Sequence, residues 1–200
     1  MNGLKIENLV FLQRGPYSLS VAPGSVLGLH GASGAGKTLL LRAIADLDPH
    51  DGQLWLNQIA CSDLSGPQWR RRVAYLSAES LWWHDRVGQH FSEDPDIKYL
   101  QQMGLDSEVM NWEVNRLSTG EKQRLAILRL LQHRPQALLL DEPTASLDQN
   151  SIGRVEAFIL NYLKQNSAPA IWVSHDMTQL ERLTTNRMEI LPGGEMQVLA

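Results

Sequence analysis

The sequence predicts an α/β fold: a parallel sheet covered by helices on both faces, with a smaller antiparallel sheet beside it. Three observations predict it. Residues 26–29, 73–76, 137–140 and 170–173 are short, uninterrupted apolar runs, the pattern of strands buried on both faces. Stretches of helical periodicity separate these runs, as in βαβ units. Residues 4–7 and 18–21 instead alternate apolar and polar side chains, the pattern of strands with one wet face.

Taken in order, residues 4–7 read as an edge strand and 18–21 as a second strand, followed by the turn Ala22-Pro23-Gly24. The run 26–29 leads into a glycine-rich loop. Residues 37–47 form a helix with Leu40, Ala43, Ile44 and Leu47 on one face, stopped by Asp48-Pro49. Leu54-Trp55-Leu56 and Ile59 flank Asn57-Gln58 as a hairpin, and 73–76 is the next buried strand. Residues 77–116 are the least regular part and hold Trp82, Trp83, Pro95 and many acids. Leu125, Leu128 and Leu131 mark the helix 118–133. Strand 137–140, amphipathic helix 152–164, strand 170–173 and short helix 177–183 follow. Residues 188–191 and 196–199, joined by Pro192-Gly193-Gly194, read as a closing hairpin. Alternating strands at both ends of the chain suggest a smaller antiparallel sheet as well.

At 200 residues the chain is one domain with room for a sizeable core. Its single cysteine, Cys61, excludes an internal disulfide framework and fits a reducing compartment. A formal charge of −4 argues against a general nucleic-acid binder. The sequence has no apolar run of membrane-spanning length and no signal-peptide pattern at its start, so the expected address is the cytoplasm. The six histidines show no metal-ligand spacing, and Arg70-Arg71-Arg72 reads as a solvated helix face.

Gly31-Ala32-Ser33-Gly34-Ala35-Gly36-Lys37-Thr38 matches the phosphate-loop pattern in full, between a buried strand and a helix. Glycines let backbone N–H groups turn inward onto phosphate oxygens, and the helix N-terminus adds its positive pole. Lys37 would reach the β- and γ-phosphates, and Thr38 would offer its hydroxyl to Mg²⁺. Asp141 and Glu142 end the apolar run Leu138-Leu139-Leu140. Two acids at the end of a buried strand are costly without a task. Beside a phosphate loop, Asp141 would support Mg²⁺ and Glu142 would orient the attacking water or take its proton. Leu117-Ser118-Thr119-Gly120-Glu121 opens the next helix. Ser118 and Glu121 form a capping box, which alone explains both residues, but an open helix N-terminus is also an anion site.

Together these motifs resemble the ATP-binding-cassette (ABC) ATPase family. Residues 117–121 are similar to its signature, Ser146-Leu147-Asp148 to its D-loop, and His175 after Ile171-Trp172-Val173-Ser174 to its switch histidine. Phe11 could fill the place of the aromatic that stacks on adenine. The resemblance runs from about residue 4 to the end of the chain. It implies a P-loop NTPase (RecA-like) parallel-sheet core with an antiparallel β subdomain and a shortened α-helical subdomain. All 200 residues then form one ATPase domain, with the core in 1–78 and 135–200 and the helical subdomain over about 79–134.

The resemblance further implies two ATP molecules with Mg²⁺ sandwiched head to tail in a homodimer. Each would lie between residues 31–38 of one copy and Ser118 and Gly120 of the other. In these terms Glu142 activates water, His175 contacts the γ-phosphate, and Asp148 lies at the dimer seam. A capping role before Ile152 also explains Ser146 and Asp148. The implied partner is a polytopic membrane permease, which would hold the chain at the cytoplasmic face of the inner membrane; no nucleic acid is expected. Residues 117–198 are most similar to small cassettes described as probable iron exporters, through the Gly120-Glu121-Lys122-Gln123-Arg124 and Trp172-Val173-Ser174-His175-Asp176 runs.

The sequence departs from the family pattern after strand 73–76, where Ala78 stands in the place of a glutamine that touches Mg²⁺ and relays motion to the membrane partner; Glu79 is next. Thr119 and Glu121 replace a glycine and a glutamine of the signature. The interval before Leu117 is short for the family's helical lobe. Trp82 and Trp83 within it line either a core or a permease-facing groove. Two other functions compete with the transporter ATPase: a soluble ABC ATPase, and a P-loop kinase acting on a small molecule. The kinase would not need Ser118 to Glu121.

Overall fold

The computed structural model describes residues 2–184 and 186–199 of the chain. Two sheets organise it. One has four strands in the order β2-β1-β4-β5 and the other six in the order β10-β9-β3-β8-β7-β6. The first is antiparallel: β1 (Leu4–Phe11), β2 (Arg14–Val21), β4 (Asp51–Leu56) and β5 (Ile59–Ala60). Asn57 and Gln58 join β4 to β5 with φ of 49° and 72°, the doubly left-handed geometry that suits the twist of a two-residue hairpin. Despite its alternating edge-like pattern, β1 is an inner strand between β2 and β4.

The second sheet is parallel at its centre. β3 (Val26–Gly31), β6 (Val73–Leu76), β7 (Ala137–Asp141) and β8 (Ala170–Val173) form it, with Leu29 beside Val173 and Asp141 beside Val173 on the other flank. β9 (Asn186–Ile190) pairs parallel with β3 and antiparallel with β10 (Met196–Leu199). The closing hairpin therefore extends the parallel sheet and does not join the antiparallel one.

Successive residues of β7 and β8 point to opposite faces, and each face carries its own core. Leu139, Ile171 and Val173 join a core shared with the antiparallel sheet and α1 (Lys37–Ile44). Leu138, Leu140, Ala170 and Trp172 face α4 (Thr119–Leu131), α5 (Gln149–Asn166) and α6 (Met177–Leu183). Burying each leucine, isoleucine or valine among them contributes about 1.5–3 kcal/mol. The first helix stops three residues before the expected Leu47: Asp46 turns left-handed at φ 55°, and Leu47 is 41% exposed. Segment 77–116 is built from short 3₁₀ turns and α3 (Ile97–Gln102), with α2 (Gly66–Arg72) preceding β6.

Candidate functional site

Gly31 closes β3 and Lys37 opens α1, so the loop between them turns from strand to helix. A Cβ at Gly31 would lie 2.5 Å from the Ile190 carbonyl oxygen. Gly36 caps α1 with φ 107°, a left-handed conformation that favours glycine. Ala32, Ser33, Gly34 and Thr38 are exposed at the mouth, while Ala35 and Gly36 are buried. The buried Lys37 folds back over the loop, its Nζ donating to the carbonyls of Gly31 at 2.7 Å and Ala32 at 3.1 Å. Burial lowers its pKa, and the carboxylates of Glu142 and Asp141 act against that. An ammonium resting on neutral carbonyls can exchange them for phosphate oxygens, which bind a cation more strongly.

Three elements meet at Asp141, which ends β7 and is 3% exposed. Thr38 Oγ1, in the first turn of α1, donates to its Oδ2 at 2.7 Å; the Tyr75 hydroxyl, on β6, donates to the same oxygen at 3.1 Å. Burial, then the neighbouring carboxylate, pushes the Tyr75 pKa up, so its hydroxyl stays a donor. A carboxylate and a hydroxyl brought together at a phosphate loop are the hard oxygen ligands Mg²⁺ takes, so Thr38 and Asp141 fit that ion.

Glu142 follows at φ 48°. Its amide donates to the Val173 carbonyl at 3.2 Å, and its carbonyl accepts from the Ala145 amide at 3.2 Å. Among the described residues its buried Oε1 has no hydrogen-bond partner, and it lies 3.5 Å from His175 Nε2. Burial raises the Glu142 pKa, while His175 and Lys37 lower it. An orphaned carboxylate oxygen in a half-buried acid beside a phosphate loop is suited to hold a water molecule. The exposed His175 also meets the ring of His30 edge to face.

Ser118 and Gly120 lie at the start of α4. Ser118 Oγ accepts from the Glu121 amide at 3.2 Å, and the Ser118 amide and hydroxyl donate to Glu121 Oε2 at 2.9 and 2.7 Å. Gly120 packs beside Leu147 and the Ser146 carbonyl. Asp148 caps α5, accepting from the amides of Asn150 and Ser151 at 3.0 Å and from Ser151 Oγ at 2.7 Å. The Ser151 hydroxyl and these amides hold its carboxyl below the usual range. Arg124, buried in α4, donates to Ser151 Oγ and so links α4 to the cap of α5. The structure thus makes two groups of the expected residues: 31–38, Asp141, Glu142 and His175 in one, and Ser118, Gly120 and Asp148 in the other. Among the described residues no side-chain hydrogen bond or ion pair joins them.

Phe11 is a correction. It is 4% exposed, with its ring 5.6 Å from that of Tyr17, and presents no open face to a base. It shares the buried face of Leu9, two residues before it, and Leu12 is exposed at the turn. Ala78 and Glu79 are both exposed in the loop after β6, where Ser77 Oγ bonds the Glu79 carbonyl. Tyr75, not a residue of that loop, reaches Asp141 from this strand. Tyr75, Arg124 and His30 were missed in the sequence; the one signal for Tyr75 was a polar hydroxyl inside an apolar run.

Trp82 and Trp83 differ. Trp82 is half-buried against the helical core, whereas Trp83 is 66% exposed. The Arg129 guanidinium lies 4.6 Å from the Trp82 ring centroid and 4.9 Å from that of Trp83, and donates to the Leu81 carbonyl. Leu81, Trp83 and Arg129 line a groove of about 640 Å³ that also takes in Arg71, Tyr75 and Ser77.

The sequence profile of the ABC transporter family matches residues 15–145. A Fe(3+) ions import ATP-binding protein of Haemophilus influenzae is 32% identical over 197 residues, spanning 90% of this chain and 56% of that protein. A probable iron export ATP-binding protein of Escherichia coli is 29% identical over 175 residues, spanning 82% of this chain and 78% of that protein. The chain thus spans about half the length of the iron-import relative. In fold it is similar to an ATP-binding cassette solved as a dimer in a post-hydrolysis state with ADP and Pi. The TM-score is 0.81 at 19% identity, over 98% of this chain and 99% of the other.

Proposed function

The chain belongs to the ABC transporter family, and from that premise we propose that it is the ATP-binding and ATP-hydrolysing subunit of a transporter whose membrane part is a separate permease. The observation that carries this reading is the convergence at Asp141: one buried carboxylate accepts from the phosphate-loop threonine, with Glu142 next to it.

In this reading the loop amides and the N-terminus of α1 bind the triphosphate, and Lys37 exchanges two carbonyls for β- and γ-phosphate oxygens. Thr38 and Asp141 hold Mg²⁺, which when bound neutralises charge on the phosphates. The Glu142 carboxylate orients water and accepts its proton; its raised pKa makes it a better base than an ordinary glutamate. His175, 3.5 Å from that carboxylate, contacts the γ-phosphate. Ser118 and Gly120 of a second copy close the site, so ATP joins two chains and hydrolysis releases them. Asp148 lies at the seam.

No helix among the described residues is long and apolar enough to cross a membrane. The permease docks in the groove at Leu81 and Trp83 and holds the chain at the cytoplasmic face of the inner membrane. Metal export, with iron as cargo, is the finer reading. It is supported by the 120–124 and 172–176 runs and by similarity to the probable iron export protein. Cellular iron after deletion of the chain tests it: a rise supports export, and a fall means import.

The test of the main reading is enzymatic. The chain should hydrolyse ATP with Mg²⁺, and Lys37→Ala should lower the rate by on the order of 10²-fold or more. Glu142→Gln should bind ATP, turn over slowly and elute as a dimer. A phosphorylated small-molecule product, or hydrolysis that requires nucleic acid, would overturn the transporter assignment.

A further inference from the structure

The residue before the phosphate loop is a histidine for which the proposed reaction has no use. His30 is the penultimate residue of β3 and partly exposed. Its Nδ1 lies 3.1 Å from the Ser174 carbonyl oxygen. A carbonyl only accepts, so Nδ1 carries the hydrogen of the bond. The parallel register explains the meeting: Leu29 stands beside Val173, which brings the next residue of each strand together.

The backbone before His175 is already tied from two sides. The Ser174 amide donates to the Leu29 carbonyl at 3.3 Å, and the Val173 carbonyl accepts from the Glu142 amide at 3.2 Å. Ser174 is 4% exposed, and its hydroxyl accepts from the Asp176 amide at 3.1 Å. The His175 side chain is different, because it is 55% exposed and its direction is free unless something packs on it. Two groups do. Glu142 Oε1 lies 3.5 Å from its Nε2, and the His30 ring meets it edge to face, centroids 6.4 Å apart at 80°. His30 therefore touches both the peptide that carries His175 and the imidazole itself.

We propose that His30 is a positioning residue for His175. Its Nδ1–H fixes the Ser174 carbonyl, and its ring confines the His175 imidazole to the side facing Glu142. A strand residue one step from Gly31 thus sets the phosphate loop and the His175 loop in one frame. The inference rests on the reading of His175 as a γ-phosphate contact. Loss of such alignment lowers the rate of the chemical step more than it weakens binding, because the loop amides and Lys37 supply most of the hold on the phosphates and His175 adds a single contact.

Steady-state ATP hydrolysis with Mg²⁺ and thermal melting, run on the wild type, His30→Leu, His30→Asn and His175→Ala, test it. His30→Leu removes donor and ring; His30→Asn keeps an amide donor where Nδ1 stood. The expected result is a fall in kcat of about tenfold for His30→Leu, with KM for ATP within about twofold of wild type and the melting temperature within about 3 °C. His30→Asn should recover the part of the loss that belongs to the Ser174 carbonyl and leave the part that belongs to the ring. Wild-type kcat in His30→Leu, or kcat, KM and melting temperature all worsening together without rescue by asparagine, overturns the positioning role. Wild-type hydrolysis by His175→Ala overturns the reading of His175 itself, and the inference falls with it.

Discussion

Glu142 sits in a left-handed turn with one carboxylate oxygen buried and unbonded, and neither feature stabilises the fold. Burial raises its pKa in spite of His175 and Lys37, so ionising it costs more in the folded chain than in the unfolded one. Below the unfolded pKa both states are protonated and no penalty exists. As pH rises the unfolded chain ionises first, and the penalty is complete above the folded pKa. Glu142→Gln should therefore stabilise the protein at neutral pH. The gain should shrink as pH falls into the ordinary glutamate range. Melting curves across pH check this, and an unchanged melting temperature at neutral pH would mean that the fold compensates the charge. The same substitution removes the proposed base, so stability and turnover pull in opposite directions at this position.

Ser118 serves α4 as its cap, yet in the proposed dimer its hydroxyl also faces the nucleotide of a second copy. Aspartate separates the roles, since it caps a helix about as well as serine but repels a triphosphate. Ser118→Asp should cost on the order of 1 kcal/mol, because its carboxylate replaces the hydroxyl that donated to Glu121 Oε2 and repels that acid. It should also raise the ATP concentration that dimerises the Glu142→Gln chain by about tenfold or more. Size-exclusion chromatography with ATP checks the second point and melting the first; normal dimerisation would show that Ser118 is a cap and nothing more. Elements like α4 were legible because their chemistry is contiguous. The same holds for residues 31–38 and the acids after the 137–140 run. Strands 73–76 and 170–173 and helix 177–183 match β6, β8 and α6 because periodicity and burial agree along them. What failed was set by distant partners. β1 alternates like an edge strand but pairs on both sides, and the closing hairpin belongs to the sheet that β3 selects for it. Phe11 keeps the inward face it shares with Leu9, and Tyr17, six residues on in the neighbouring strand, covers its ring. Tyr75, His30 and Arg124 act through residues 66, 144 and 27 positions away, beyond any local motif.

On the scale of the whole molecule, the central sheet separates two cores, with α1 on one face and α4 on the other. The phosphate loop, which leads into α1, and the Ser118 cap therefore lie on opposite faces of that sheet, and on the Ser118 face Arg124 ties α4 to Ser151 and Asp148 at the start of α5. If ATP is shared between copies, each chain supplies two half-sites that can be damaged separately. A Lys37→Ala chain keeps its Ser118 but lacks a working cradle, and a Ser118→Asp chain has the reverse defect. Each alone should be nearly inactive. Mixed in equal amounts, half of the dimers pair unlike chains, and one site in each of these joins an intact cradle to an intact serine. Hydrolysis should then recover towards about a quarter of the wild-type rate if the sites work independently. The recovery should grow with total chain concentration, because unlike dimers form by mass action. An ATPase titration across mixing ratios and concentrations reads this directly. Activity that never exceeds the sum of the two variants would mean that Ser118 of one copy does not complete the cradle of the other, and would overturn the shared site.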